Sequence, residues 1–382
     1  MMNKKELMIW SEAPGRYKEI INAAIKRYKR GVNYKGNIIV TSCDWKDYIS
    51  NIERAFIEEK GPDIFSIEPG GPLNYLVGKG FVKPLNNYFN EEIEKDKFSP
   101  LSISSVKVNE LLYSFPISMN NMQLFVNKKI INKYRIKYPD DVGQLTEIAK
   151  FLEKKNITCI ATGFIDKWAA IDTFVVLSQQ LGKKKNKNLL RDAEKGLISW
   201  TSEEFITVIE NIKMMADNNI FPADVTKINF HKDAFNLWCE DKALFLWPGN
   251  NAIVASIPQD NVYDAVWFPK ISMGEKVLTG GVALSWSVYS KSIFLEKCIE
   301  ILKEMISEET RNDLLSKGIA HSGLINKEII SKSEVISKIN SQQNFAVDRR
   351  IYNPKMYNAI GEAVCEVISG TKTAYEALKN IR

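Results

Sequence analysis

The sequence predicts an α/β protein with a mostly parallel sheet, covering helices and two domains. Three observations lead there. The chain has 382 residues, and at roughly 150 residues per domain that suggests two domains. The stretch from Leu7 to Ile67 alternates strand-like and helix-like segments. Hydrophobic residues make up 45% and charged residues 26%, enough to bury a sizeable core without a disulfide framework.

The elements follow in order. Leu7 to Trp10 reads as a short apolar strand, and after Ser-Glu-Ala-Pro-Gly the residues Tyr17, Ile21, Ala24, Ile25 and Tyr28 recur at helical spacing. Asn37 to Ser42 reads as a strand, Asp47 to Glu59 as a helix with Tyr48, Ile52 and Phe56 inward, and Asp63 to Ile67 as a strand. This βαβαβ order implies a mostly parallel sheet. Ligands of such open sheets gather at the carboxyl ends of the strands, so the loops after Trp10, Ser42 and Ile67 are expected to converge there.

The glycine-rich stretch GPDIFSIEPGGPLNYLVGKG, Gly61 to Gly80, tests whether that edge holds a phosphate. A phosphate loop needs GxxxxGK[ST], so that backbone N–H groups wrap the phosphates while Lys and a hydroxyl reach phosphate and metal. After Gly71 the interval PLNYLVGKG is too long, and Gly80 stands where the hydroxyl belongs. Leu73 to Val77 reads instead as a helix, stopped by Gly78-Lys79-Gly80 with glycine at the left-handed cap position. What remains is Glu68-Pro69-Gly70-Gly71, a carboxylate on a tight turn followed by helix-starting N–H groups that serve hydroxyls as well as anions.

Charge and cysteine usage exclude further classes. The net charge of +6 is spread thinly, and the one basic run, Gly182 to Asn188, has no interleaved aromatic residues, which reads as a solvated loop rather than a nucleic-acid surface. Five separated cysteines with no CxxC pair, and two histidines in all, leave no structural zinc pattern, and no cofactor is expected. Cys298 falls on an apolar helical face with Phe294, Ile301, Leu302 and Met305. His231 and His321 lack a GxSxG partner, and the spacing of Glu12 and Glu68 makes neither an acid nor a base, so catalysis is not expected. MMNKKELMIW lacks the apolar core of a signal peptide, and no run of 18 apolar residues occurs; either the chain is cytoplasmic or its leader has been removed.

Several motifs, in order, carry a resemblance. Pro62-Asp63 precedes a buried strand, followed by a loop, a short helix with Leu76-Val77, Gly80, and Lys83-Pro84-Leu85. Tyr113 to Lys128 (YSFPISMNNMQLFVNK), Pro139-Asp140-Asp141 through Leu152, Phe230 to Trp247, and Gly280-Gly281-Val282-Ala283-Leu284 with the helix from Phe294 follow at matching intervals. Together they resemble the extracellular solute-binding proteins of ABC sugar importers, the family of the maltose-binding protein. The chain departs from the family's pattern where Gly249-Asn250-Asn251 replaces a Gly-x-Trp, and where Asp-Val replaces a Thr-Trp.

The resemblance implies a two-lobed, type II periplasmic-binding-protein-like fold with three interdomain crossings and a ligand cleft between lobes. Crossings are expected near 114–116, 268–271 and 318–323, with lobe 1 formed by 1–114 plus 271–318 and lobe 2 by 116–268 plus 323–382. The implied function is a non-catalytic subunit that captures a sugar, an oligosaccharide by preference, and delivers it to membrane permease subunits. The alternative is a sugar-sensing domain of a regulator. A monomer is expected, extracytoplasmic and held as a lipoprotein through a leader absent from this chain, since Lys4-Lys5-Glu6-Leu7 resembles the family's mature start; the alternative is cytoplasmic.

A sugar presents hydroxyls at its edge and C–H groups on its faces, so its site needs planar polar groups and aromatic rings. Trp168, in a segment resembling a family element, leads the stacking candidates. Trp10 beside Glu12, Trp45 beside Asp44, and Trp247 follow strand ends, where a core position is the competing reading. Trp200, Trp238, Trp286 and Trp267 fit core, strand or crossing positions. Among polar groups, Glu68 and Asn120 come first, Asn120 standing where the resemblance implies a carboxylate that grips sugar hydroxyls. Asn121, Asp166, Asn250, Asn251 and Ser322 form a second set. Arg349 and Arg350 either reach the site, favouring an acidic sugar, or open a solvated helix.

Overall fold

The computed structural model describes residues 6–11, 16–43, 48–88, 98–254, 256–258, 262–316, 334–342 and 345–381. In chain order the elements used below are β1 (Leu7–Ser11), α1 (Arg16–Gly31), β2 (Ile38–Ser42), α2 (Tyr48–Ile57), β3 (Ile64–Ile67), α3 (Gly71–Gly78), β4 (Phe115–Asn127), β5 (Thr158–Ala161), α4 (Trp168–Lys184), β6 (Ala243–Gly249), β7 (Tyr263–Val266), β8 (Leu278–Val288), α5 (Leu295–Met305) and β9 (Ala346–Asp348). The chain forms two compact units, Met1–Asn120 with Gly281–Ser331, and Asn121–Gly280 with Lys332–Arg382. It passes from one to the other inside β4 and inside β8.

In the first unit β2, β1 and β3 lie side by side and parallel, and Ser285–Val288 of β8 runs antiparallel to β3. The parallel order expected from the sequence is present. Alternation along β1 explains its two-sided packing: Leu7, Ile9 and Ser11 are fully buried, while Met8 and Trp10 on the opposite face are half-buried. The Ile9 face packs with Ile21, Ala24, Ile25 and Tyr28 of α1 and with Cys298, Ile301, Leu302 and Met305 of α5. The other face meets Tyr48, Ile52 and Phe56 of α2, the three positions the helical spacing predicts to point inward. Asp47, at the predicted start of that helix, lies outside the described residues.

Two local features of this unit have clear physical causes. Asp63 is fully buried because its carboxylate closes the sheet: Oδ2 accepts the Met8 N–H at 2.9 Å and Oδ1 accepts the Ser292 hydroxyl at 2.8 Å. The backbone N–H of Asp63 donates in turn to the Met8 carbonyl at 2.8 Å. α3 opens at Gly70, whose φ of 96° is a left-handed value suited to glycine, and it stops at Lys79 and Gly80, the latter with φ of 74°.

In the second unit β5 and β6 are parallel, β4 pairs antiparallel with β6 and with β7, and β9 runs parallel to Leu278–Gly280 of β8. α4 is enclosed from Ala169 to Gly182, which fits a helix that is apolar nearly all round. Two of its polar side chains near the C-terminal end are spent on the backbone: Ser178 Oγ donates to the Phe174 carbonyl at 2.7 Å, and Gln180 accepts from the Ile271 N–H at 2.9 Å while donating to the Pro269 carbonyl at 3.1 Å. The helix runs through Lys184, so the basic stretch read as a loop begins inside it. Gly182 makes this tight return possible, since a Cβ there would come within 2.6 Å of the Lys187 carbonyl. Lys183 to Asn188 are exposed.

Candidate functional site

In the first unit the parallel strands end together at Ser11, Ser42 and Ile67. Trp10, one residue before such an end, is half-buried against the α2 cluster, and its carbonyl accepts the Tyr48 hydroxyl at 3.2 Å. Among the described residues its buried indole nitrogen has no hydrogen-bond partner, and neither has Ser42 Oγ at the end of β2. Glu68 is half-buried on the turn after β3. Asn120, half-buried, is the last residue of the first unit. Glu12, Asp44, Trp45 and Ser322 lie outside the described residues.

In the second unit the carboxyl ends of β5 and β6 lead into Thr162 and Asn250. Thr162 is fully buried, its hydroxyl without a partner among the described residues. The loop after it is shaped by Gly163, where a Cβ would meet the Ile228 carbonyl at 2.5 Å. Asp166 on this loop accepts from Asn229 Nδ2 at 2.8 Å. Trp168 then opens α4, half-buried, with its ring edge-on to Phe230 at 4.7 Å and nearly parallel to His231 at 5.9 Å. Phe230 and His231 belong to a single π-helical turn, Phe230–Ala234, a distortion often met at functional positions. Burial holds the His231 imidazole below its usual pKa range, against the weaker upward pull of Asp166.

Two residues named from the sequence are committed elsewhere. Trp247 has no exposed surface: its ring packs on Phe268 with centroids 4.5 Å apart, and its N–H donates to Thr173 Oγ1 at 2.9 Å. The competing core reading describes this ring. Asn121 is likewise fully buried, its Nδ2 donating to the Ile339 carbonyl at 2.8 Å and its Oδ1 accepting from Gln123 at 3.1 Å. Gln123 also donates to Gln342 Oε1, which accepts the Trp267 N–H, both at 3.1 Å. Asn250 is 7% exposed at the end of β6, and Asn251 begins the helix Asn251–Val254. Trp200, Trp238 and Trp286 are buried core residues.

Arg349 and Arg350 do not open a solvated helix. They follow β9, and the Arg349 guanidinium meets Asp172 of α4 with Nη1 to Oδ1 at 3.0 Å. Sequence reasoning passed over Asp172, although a single carboxylate inside the apolar run WAAIDTFVVLSQQL was a visible signal. It also passed over Thr162 and Thr173. Among the described residues no three His, Cys, Asp or Glu side chains gather as a metal site, and no helix is long and apolar enough to cross a membrane. The arrangement offers hydrogen bonds and ring faces.

Residues 23–331 match the model of the family described as bacterial extracellular solute-binding protein. The chain belongs to that family. This solute-binding protein is 20% identical over 258 residues to a multiple sugar-binding protein of Streptococcus mutans, a match covering 64% of this chain and 58% of that protein. It is 24% identical over 183 residues to an uncharacterized ABC transporter extracellular-binding protein of Pyrococcus horikoshii, covering 46% and 41%. The matched region thus spans less than two thirds of either relative's length.

Solved structures resemble it over nearly all of its residues. A chitin oligosaccharide binding protein superposes with a TM-score of 0.85 at 16% identity, covering 99% of this chain and 97% of that one. A protein from xylan utilization by Caldanaerobius polysaccharolyticus gives 0.84 at 21% identity, with 98% of each chain covered. A cyclo/maltodextrin-binding protein complexed with maltotetraose gives 0.76 at 15%, covering 100% and 96%. At these identities the likeness establishes the fold, that of the two-lobed solute-binding proteins.

Proposed function

We propose that this protein is the carbohydrate-binding subunit of an ABC importer, taking up an oligosaccharide and passing it unaltered to membrane permease subunits. The observation that carries the reading is a set of buried polar atoms at strand ends of each unit that have no partner among the described residues: Trp10 Nε1 and Ser42 Oγ in the first, Thr162 Oγ1 in the second. A buried polar group without a hydrogen bond costs about 1–3 kcal/mol, so such groups at the ligand edge of an α/β sheet call for a hydroxyl-rich partner. The named functions of the sugar-binding relatives support the same choice.

The residues assigned to the ligand are Trp10, Glu68 and Asn120 from the first unit and Trp168, Asp166, Asn250 and Arg349 from the second. Trp168 supplies a ring face on its own unit, and the others supply donors and acceptors on theirs. The protein works outside the cytoplasm, in keeping with its family, as a monomer held to the membrane through a lipoprotein leader.

A thermal-shift screen over xylo-, chito- and malto-oligosaccharides tests this. A ligand present at 100 times its dissociation constant stabilises the native state by about 2.7 kcal/mol, and Trp168→Ala should abolish most of the shift. A flat response to every sugar contradicts the proposal.

A further inference from the structure

We propose that Gln123 is a further ligand-contacting residue, whose side-chain oxygen accepts a hydroxyl of the bound sugar, and that Asn121, Gln342 and Trp267 are positioning residues that hold it in that orientation. The inference rests on the carbohydrate reading above and adds to it one acceptor of fixed direction.

Strand register places Gln123 at the ligand edge of the second unit. On β4 it lies opposite Gly249, the last residue of β6, whose carboxyl end leads to Asn250. On its other side β4 pairs with β7, Leu124 opposite Val266, so Trp267 is the next residue across from Gln123. Asn121, Gln123, Trp267 and Gln342 all belong to this unit.

Two groups of one-way chemistry fix the amides between them. The Ile339 carbonyl can only accept, so Asn121 turns its Nδ2 to it at 2.8 Å and keeps its Oδ1 for Gln123. The Trp267 indole can only donate, so Gln342 turns its Oε1 to it at 3.1 Å. Gln123 therefore faces two oxygens, and its Nε2 donates to both, each at 3.1 Å. Both of its amide hydrogens are used. Rotating the amide by half a turn would set its oxygen against the oxygens of Asn121 and Gln342, so the network itself holds Oε1 on the other side.

That oxygen is the one acceptor the relay leaves over. Gln123 is fully buried, and its Oε1 has no hydrogen-bond partner among the described residues. A buried acceptor without a donor costs about 1–3 kcal/mol, and a sugar hydroxyl at the strand edge removes that cost by donating to it. The contact is selective, because an acceptor gains nothing from a deoxy position.

Calorimetry of wild type, Gln123→Met and Trp267→Phe tests this with xylotriose, chitotriose and maltotriose, and with the monodeoxy analogues of whichever trisaccharide binds. Gln123→Met keeps the length of the side chain and removes its acceptor, which should weaken binding of the parent sugar by about tenfold, the scale of one hydrogen bond to a buried group. In wild type one monodeoxy analogue should lose a comparable factor. In Gln123→Met the same analogue should lose little more, because the two changes remove one and the same hydrogen bond. Should Gln123→Met fail to fold, Trp267→Phe carries the test: it keeps a ring but removes the donor that orients Gln342, so the amides are free to turn and the penalty for that analogue should shrink. Penalties that add at every hydroxyl in the variants that fold would mark a network of structural value alone, which overturns the inference while the sugar reading stands. No binding of any of the three trisaccharides by wild type removes both.

Discussion

The indole N–H of Trp247 donates to Thr173 Oγ1 across 2.9 Å, joining the end of β6 to the second turn of α4 inside the second unit's core. The Thr173 hydroxyl itself donates a hydrogen bond to the Ala169 carbonyl at 2.7 Å, so its oxygen is held in place to accept the indole. Replacing Thr173 with Val keeps the shape and strands a buried donor. Thr173→Val should therefore destabilise the protein by about 1–3 kcal/mol, and Thr173→Ser, which keeps the oxygen, by less. Urea unfolding of the three proteins measures the difference.

Asp63 is the corresponding anchor of the first unit. Its carboxylate accepts from the Met8 N–H and the Ser292 hydroxyl, groups far from it in sequence. Asp63→Ala should cost about 3 kcal/mol or more, because two donors and a buried site lose their charged acceptor together. Asp63→Asn should cost less, since one amide oxygen still serves one donor. The same denaturation series checks the order.

His231 makes stability depend on pH. Its imidazole has an ordinary pKa of 6.5, and burial lowers that value in the folded chain. Just below pH 6.5 the unfolded chain therefore binds a proton that the folded chain does not, so stability falls as pH drops through this value. His231→Gln should flatten the denaturation midpoint between pH 7 and about 5, the window in which histidine titrates. An equal slope in wild type and variant would show that other groups set the dependence.

These anchors also mark what the sequence could tell. The spacing of Tyr48, Ile52 and Phe56 and the alternation along β1 were legible, because periodicity records which face is buried. The helix stop at Gly78-Lys79-Gly80 was legible as well, since left-handed backbone selects glycine. Pairings across the chain were not. Gln123 meets Gln342, and Arg349 meets Asp172, through folding that no local pattern encodes. Trp247 shows the same limit: a tryptophan at a strand end suits a ligand or a core, and only its packing on Phe268 and its bond to Thr173 separate the two.

The central claim is that the protein binds a carbohydrate and releases it unchanged. Titration calorimetry with chito-, xylo- and malto-oligosaccharides, followed by mass analysis of the recovered sugar, tests it most directly. The account predicts saturable one-to-one binding of at least one series, roughly micromolar or about 8 kcal/mol, with the saccharide recovered at its original length. Absence of binding across all three series, or recovery of shortened saccharides, would contradict it.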